Sequence, residues 1–168
     1  MVLTKSELIA SLQKEVRILV HLAAKLDRSM IDYRPTPKQR SSLELLRYMS
    51  IMGPQLVQAA KAGGFDGAAW GAAQKESEAR DFDQTVAAIA AQSDLYARLL
   101  GDMSDADFRT EMTGFDGSKL SKGSFIVNLV LSGHAAYRTQ LFGYLKSCGL
   151  EELSTFNLWQ GVDAPATV

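Results

Sequence analysis

The chain has 168 residues, of which 46% are hydrophobic and 22% charged, with a formal net charge of −1 and a single cysteine. That length and apolar content suit one globular domain with a sizeable core and exclude a chain disordered by composition. The near-neutral balance of mixed signs argues against a nucleic-acid binder working through a basic face, and Cys148 alone allows no internal disulfide, in keeping with a reducing compartment.

The opening stretch is amphipathic, carries Glu7 and Glu15, and lacks the apolar core and cleavage site of a secretory signal, so a cytoplasmic location is expected. Thr4 with Glu7 three positions on predicts a capping box. Leu8, Leu12, Val16, Leu19, Ala23 and Leu26 then recur at helical steps, opposite Lys14, Arg17, His21, Lys25 and Arg28. A helix over residues 5–27 follows, with His21 at its surface. Pro35 and Pro37 mark residues 29–40 as a connection. Ser41 and Glu44 form a second capping box. Leu45, Met49, Met52 and Leu56 make a stripe with Tyr48 beside it, which predicts a helix over residues 42–60 that Gly53-Pro54 should kink or interrupt.

Residues 62–81 are rich in Gly and Ala and read as a long connection, unusual without a job or a short helix of its own, and pinned by Trp70. Val86, Ile89, Ser93, Tyr96 and Leu100 predict a third helix over residues 82–100, ended by Gly101. Residues 104–119 read as loop around the turn dipeptide Asp116-Gly117, and no β-hairpin pattern is visible. The fourth helix is expected over residues 122–148, stopped by Gly149. Its segment Phe125–Leu131 is apolar nearly all round, the mark of a central or covered helix, and far too short to span a bilayer. The tail, residues 150–168, is expected to be extended and docked through Phe156, Leu158 and Trp159. Four amphipathic segments with long connections give an all-α four-helix bundle over residues 1–168 as one domain.

The residues show no nucleophile–base pair and no paired carboxylates on an apolar face. Gly63-Gly64-Phe65-Asp66-Gly67 lacks the lysine and flanking strand of a phosphate loop. Cys148 sits in a last helical turn, where the helix dipole disfavours a thiolate. Met49, Met52 and Met112 read as core filler. His134 lies in a row with Val130, Arg138 and Leu141 and reads as a hydrogen-bonded histidine at a helix–helix or subunit contact. Arg138 reads as the partner of a carboxylate or a cover for a bundle edge, and Arg47 similarly.

The run Gly133-His134-Ala135-Ala136-Tyr137-Arg138-Thr139-Gln140, followed by Leu141 and Tyr144-Leu145, joins Leu45-Leu46-Arg47-Tyr48-Met49 and the lead-in Arg34-Pro35. Together they resemble the DinB-like (DinB/YfiT-type) family of bacterial four-helix bundles, over residues 4–149. Many members bind a divalent metal, and the family pattern places one histidine on the second helix and two on the fourth, four residues apart, just before an Arg-x-Gln. Residues i and i+4 share a helix face, so two imidazoles can hold one ion while a third closes the site.

Matching Arg138 and Gln140 to that pattern puts Gly133 and Tyr137 at the paired positions and Tyr48 at the third, so all three histidines are absent and the metal site is degenerate. Glycine offers no ligand, and a neutral phenol is a poor one. The resemblance thus implies no family-type metal and no cofactor. Helical phase should bring Tyr48 and Met52 to Gly133 and Tyr137, either as plain core or as a pocket in which two phenols and Gln140 orient a small molecule. The reading is a non-metal small-molecule binder or dimeric scaffold. The alternative is a Zn-, Ni- or Fe-dependent thiol transferase or hydrolase with a rearranged site that uses His134 beside Tyr137. A third reading is an interaction module using Phe125–Leu131 and the Phe156–Trp159 tail. A homodimer with an isologous interface is expected, with no nucleic-acid or membrane partner.

Overall fold

The structure, a computed structural model, describes residues 3–165. Helix α1 (Lys5–Ala23) starts on the predicted box: the Glu7 N–H donates to Thr4 Oγ1 at 3.2 Å, and the Thr4 N–H donates to the Glu7 carboxylate at 2.7 Å. It ends four residues short of the predicted 27, because the Lys25 and Leu26 amides turn back to the carbonyls of Leu22 and Ala23, a tighter i→i−3 pattern that closes the helix. Helix α2 (Ser42–Ala62) carries the Ser41/Glu44 box and is not interrupted at Pro54, interruption being one of the two outcomes expected there. Gly53 has no Cβ for the ring to clash with, which lifts the restriction a proline puts on the residue before it, while the missing N–H and the crowding of the Ser50 carbonyl remain.

Residues 62–81 hold a helix of their own, α3 (Gly67–Glu78), capped by Asp66. The predicted third helix is α4 (Phe82–Ala90) and α5 (Gln92–Gly101), joined at Ala91, which keeps right-handed dihedrals (φ −63°, ψ −17°). The predicted loop at 104–119 is instead a short helix, α6 (Asp105–Arg109), followed by an antiparallel hairpin, β1 (Glu111–Thr113) with β2 (Lys119–Ser121), in which Met112 faces Leu120. Strands of three residues are too short to display an alternating pattern. The predicted fourth helix has three parts. A turn, α7 (Lys122–Phe125), leads into a π-helical stretch over Ile126–Leu131 and then α8 (Ser132–Ser147). Ser132 marks the wide turn: its N–H and its Oγ both bond the Val127 carbonyl five residues back.

α1 packs against α5 and α8, α2 against α4, α5, α8 and the π stretch, and α3 lies on the outside of α2. The core is filled by fully buried side chains such as Leu12, Leu19, Leu45, Met49, Ile89 and Tyr96; burying a leucine of this kind contributes roughly 1.5–3 kcal/mol. Among the described residues no helix is long and apolar enough to cross a membrane.

The tail is not extended. It forms α9 (Thr155–Gln160), and its docking is polar rather than aromatic. Arg138 is buried where three segments meet: it bonds the Glu15 carboxylate of α1 and the Leu158 carbonyl of α9, with its guanidinium 4.9 Å from the centroid of the Trp159 ring. Asn157 is buried too, its amide 3.1 Å from His21 Nε2 and 2.9 Å from Asp163. His21 is therefore half-buried under α9 rather than a fully exposed surface residue. Phe156 and Trp159 remain exposed. The last three residues of the predicted tail, and the first two of the chain, lie outside the described residues.

One buried polar chain links α8, α5 and α2. His134 Nε2 lies 2.6 Å from Tyr96 Oη, Tyr96 Oη donates to Gln92 Oε1 at 3.1 Å, and Gln92 Nε2 donates to the Met49 carbonyl at 2.8 Å. Tyr96 has one proton, and Gln92 takes it, so His134 donates from Nε2–H and leaves Nδ1 as a lone pair without a partner. The opposite tautomer would bury an unpaired N–H, the costlier choice. The chain exists because residue 53 is glycine: a Cβ there would lie 1.7 Å from Tyr96 Oη and 2.8 Å from His134 Nε2.

Gly53→Ala is accordingly expected to destabilise the protein by about 3 kcal/mol. The penalty should shrink in a Tyr96→Phe background, a coupling that urea denaturation of the double-mutant cycle would measure. Burial also holds the His134 imidazole at a pKa of about 4, below its ordinary 6.5. Above pH 6.5 it is neutral whether folded or unfolded and adds no pH dependence. Between 6.5 and 4 only the unfolded chain takes up its proton, so stability should fall by about 3 kcal/mol across that window. Burial lowers the His21 pKa as well, and hydrogen bonds hold the carboxyls of Glu7 and Glu44 down, so His134→Gln should remove the larger part of the slope above pH 5 and leave a remainder to His21 and, nearer pH 4, to those carboxylates.

Candidate functional site

Two rows of side chains face each other across α2 and α8. Tyr48, Met52 and Leu56 stand one turn apart on α2; Leu129, Gly133 and Tyr137 do the same on the π stretch and α8. The second row is adjacent to the core row Ile126, Val130, His134 and Arg138, so α8 shows one face to the interior and the next to an open cleft. Gly133 is the close-approach point, since a Cβ there would come 3.0 Å from Met52 Cε and 3.2 Å from its Sδ.

The cleft has a volume of about 500 Å³. Its wall is a succession of rings. Tyr137 meets Tyr48 edge-on at a centroid distance of 5.1 Å, Tyr48 meets Trp70 of α3 at 6.1 Å, and Trp70 meets Phe65 at 5.6 Å. Phe65 meets Phe115, at the tip of the hairpin, at 5.1 Å. Phe65 and Phe115 are 45% and 61% exposed, so these two rings edge the opening rather than fill a core. Burial, with the Tyr137 phenol beside it, pushes the Tyr48 phenol up to about 12, so it stays protonated and able to donate. Arg40 works against that shift from the ring face, 4.1 Å from the Tyr48 centroid.

Tyr48, Met52, Gly133 and Tyr137 of the sequence-predicted set are thus brought together, and Gln140 is not among them. Gln140 Nε2 donates to Tyr144 Oη at 2.6 Å, and Tyr144 Oη donates to the Arg40 carbonyl at 3.0 Å. His134 points away from the cleft into its bond with Tyr96. Trp70, Phe65 and Phe115 join the site from segments that read as connections in the sequence, and Arg40, from another, lies against the Tyr48 ring in the neighbouring hollow. Only Trp70 gave a signal, as an isolated indole in a Gly/Ala-rich stretch.

The donors around the cleft do not fit a zinc, nickel or iron ion. They are two phenols, the Met52 thioether, the Asn128 amide and the Ser132 hydroxyl, with no imidazole, thiolate or carboxylate. Among the described residues no three of His, Cys, Asp and Glu come together as a metal-holding group.

No family model matches this sequence, and no curated protein is similar to it. The fold does have a solved counterpart. The crystal structure of a DinB-like protein, YjoA, from Bacillus subtilis superposes with a TM-score of 0.67 at 15% identity, over 88% of this chain and 94% of the other. The chain has a DinB-like, mainly helical fold, and at that identity the likeness is one of fold alone.

Proposed function

We propose that the chain binds a planar, largely apolar small molecule in the cleft between α2 and α8, without a metal ion. The observation that carries this reading is the arc of five rings, from Tyr137 to Phe115, around an open volume of about 500 Å³. Volumes of that order belong to small-molecule sites, where mostly apolar walls are combined with a few polar groups that set orientation. Exposed rings do little for stability but offer stacking and edge-to-face partners to a ring-bearing ligand. The two phenols are the polar handles, with Tyr48 held protonated at neutral pH. The donor chemistry described above supports a metal-independent site.

Trp70 stands in the wall and reports on binding. In a Trp159→Phe background it is the only indole of the chain. Naphthalene-2-carboxamide, a neutral bicyclic probe, is expected to change its fluorescence saturably, before and after dialysis against a chelator. Ala136→Phe, which places a ring at an exposed position of the lining, is expected to weaken that binding at least about tenfold, or 1.4 kcal/mol, while leaving thermal stability nearly unchanged. Near-stoichiometric Zn, Ni or Fe in the purified protein, with binding lost on chelation, would favour a metal-dependent thiol transferase or hydrolase instead.

A second reading, self-association into a homodimer, is supported by the exposed rings of Phe156 and Trp159 on α9. Sedimentation at micromolar concentration is expected to show a dimer that Trp159→Ala weakens; a monomer at all concentrations would rule this out.

A further inference from the structure

We propose that the cleft selects a planar aromatic anion, a ring system bearing a carboxylate, and that Arg40 reads its charge. This rests on the cleft being a ligand site. Tyr48 and Trp70 form a wall shared by the cleft and a second, more polar hollow of about 400 Å³, which holds Arg40. A ring lodged on the apolar side and a carboxylate passing the Tyr48–Trp70 edge would meet that guanidinium.

Arg40 is placed rather than free. Its carbonyl accepts the Tyr144 hydroxyl at 3.0 Å, Tyr144 is itself held by Gln140 at 2.6 Å, and the next residue, Ser41, caps α2. Its guanidinium lies 4.1 Å from the centroid of Tyr48, the same ring that lines the cleft. A guanidinium stacked on an aromatic face leaves its N–H fork available to a carboxylate.

Arg40 is also uncommitted. Among the described residues it has no carboxylate partner. The other charged groups of the hollow are engaged. Arg47 donates to the Arg80 carbonyl at 2.9 Å, Glu44 is shared between the Ser41 amide at 2.8 Å and Arg34 at 3.1 Å, and Glu78 accepts from Gln74 at 3.0 Å. No lysine or arginine lines the cleft itself. Arg47 keeps its charge but turns its Nε and one terminal N–H to the Arg80 carbonyl, so the guanidinium poised over Tyr48, where the hollow meets the cleft, is that of Arg40.

Two probes of the same ring and shape separate charge from fit: naphthalene-2-carboxylate and naphthalene-2-carboxamide, titrated against Trp70 fluorescence in the Trp159→Phe protein. The acid is expected to bind at least tenfold more tightly than the amide at low salt and to lose that advantage as salt rises, while the amide stays indifferent to salt. Arg40→Gln, a change at an exposed position, should bring the acid down to the level of the amide without changing the amide, and Arg40→Lys should restore part of the difference. Equal affinity for acid and amide, with no salt dependence and no effect of Arg40→Gln, would overturn the charge selection and leave the cleft reading standing. If neither probe changes Trp70 fluorescence, the cleft reading fails and this inference fails with it.

Discussion

The absence of one methyl group, at Gly53, sets the geometry of the bundle. Its missing Cβ leaves the slot that Tyr96 Oη and His134 Nε2 occupy. Three helices converge on that slot with polar atoms whose directions are fixed: an imidazole from α8, a phenol and an amide from α5, and a carbonyl from α2. An apolar interior tolerates small rotations of a helix, whereas a buried hydrogen-bonded chain tolerates few, because each slip leaves a desolvated donor or acceptor unpaired. With His134 held inward, the next face of α8 carries Gly133 and Tyr137 outward to Tyr48 and Met52. The cleft is thus a consequence of how the core is keyed. Gly53 also spares Pro54 the clash with a preceding Cβ, so a single residue serves both the helix and the chain packed against it.

A second polar node holds the periphery. Arg138 binds α1 through Glu15 and α9 through a backbone carbonyl and the Trp159 ring. Removing one partner of a buried pair typically costs about 3–5 kcal/mol, while replacing both by apolar groups can be neutral. Such a pair is better understood as fixing which segment docks where than as a reservoir of stability. Here it selects α9 as the cover for α1 and α8, with the Trp159 ring taking part only through its contact with the guanidinium while staying largely exposed.

Much of this is written locally and could be read from the chain. The capping boxes Thr4/Glu7 and Ser41/Glu44 need only residues three apart, and both form. The stripes from Leu8 to Leu26 and from Leu45 to Leu56 need only helical periodicity, and they are the core. The same periodicity brings Tyr48 to Tyr137. What escaped depends on contacts distant in sequence or on segments too short to carry a pattern. The π turn at Ile126–Leu131 widens the helix within a run that is apolar nearly all round, where no phase can be read. The hairpin has three residues per strand. Gln140 has a side chain at the right helical phase but bonds Tyr144, and through it Arg40, about a hundred residues earlier in the chain. Arg40 itself carries no local signal, since its stacking on Tyr48 is purely tertiary.

The idea that these helices enclose a ring-binding cleft rather than a metal centre meets its most direct test at Met52, whose methyl group touches the site between Gly133 and the two phenols. The chain has six methionines, each a separate probe when its methyl carbon is labelled for NMR. Naphthalene-2-carboxylate is expected to shift the Met52 methyl resonance through ring currents, to leave the core residue Met49 in place, and to do so in metal-free protein. Nickel(II) is expected to move none of them. A Met52 signal broadened by one equivalent of nickel(II), and untouched by the naphthalene ring, would contradict the reading.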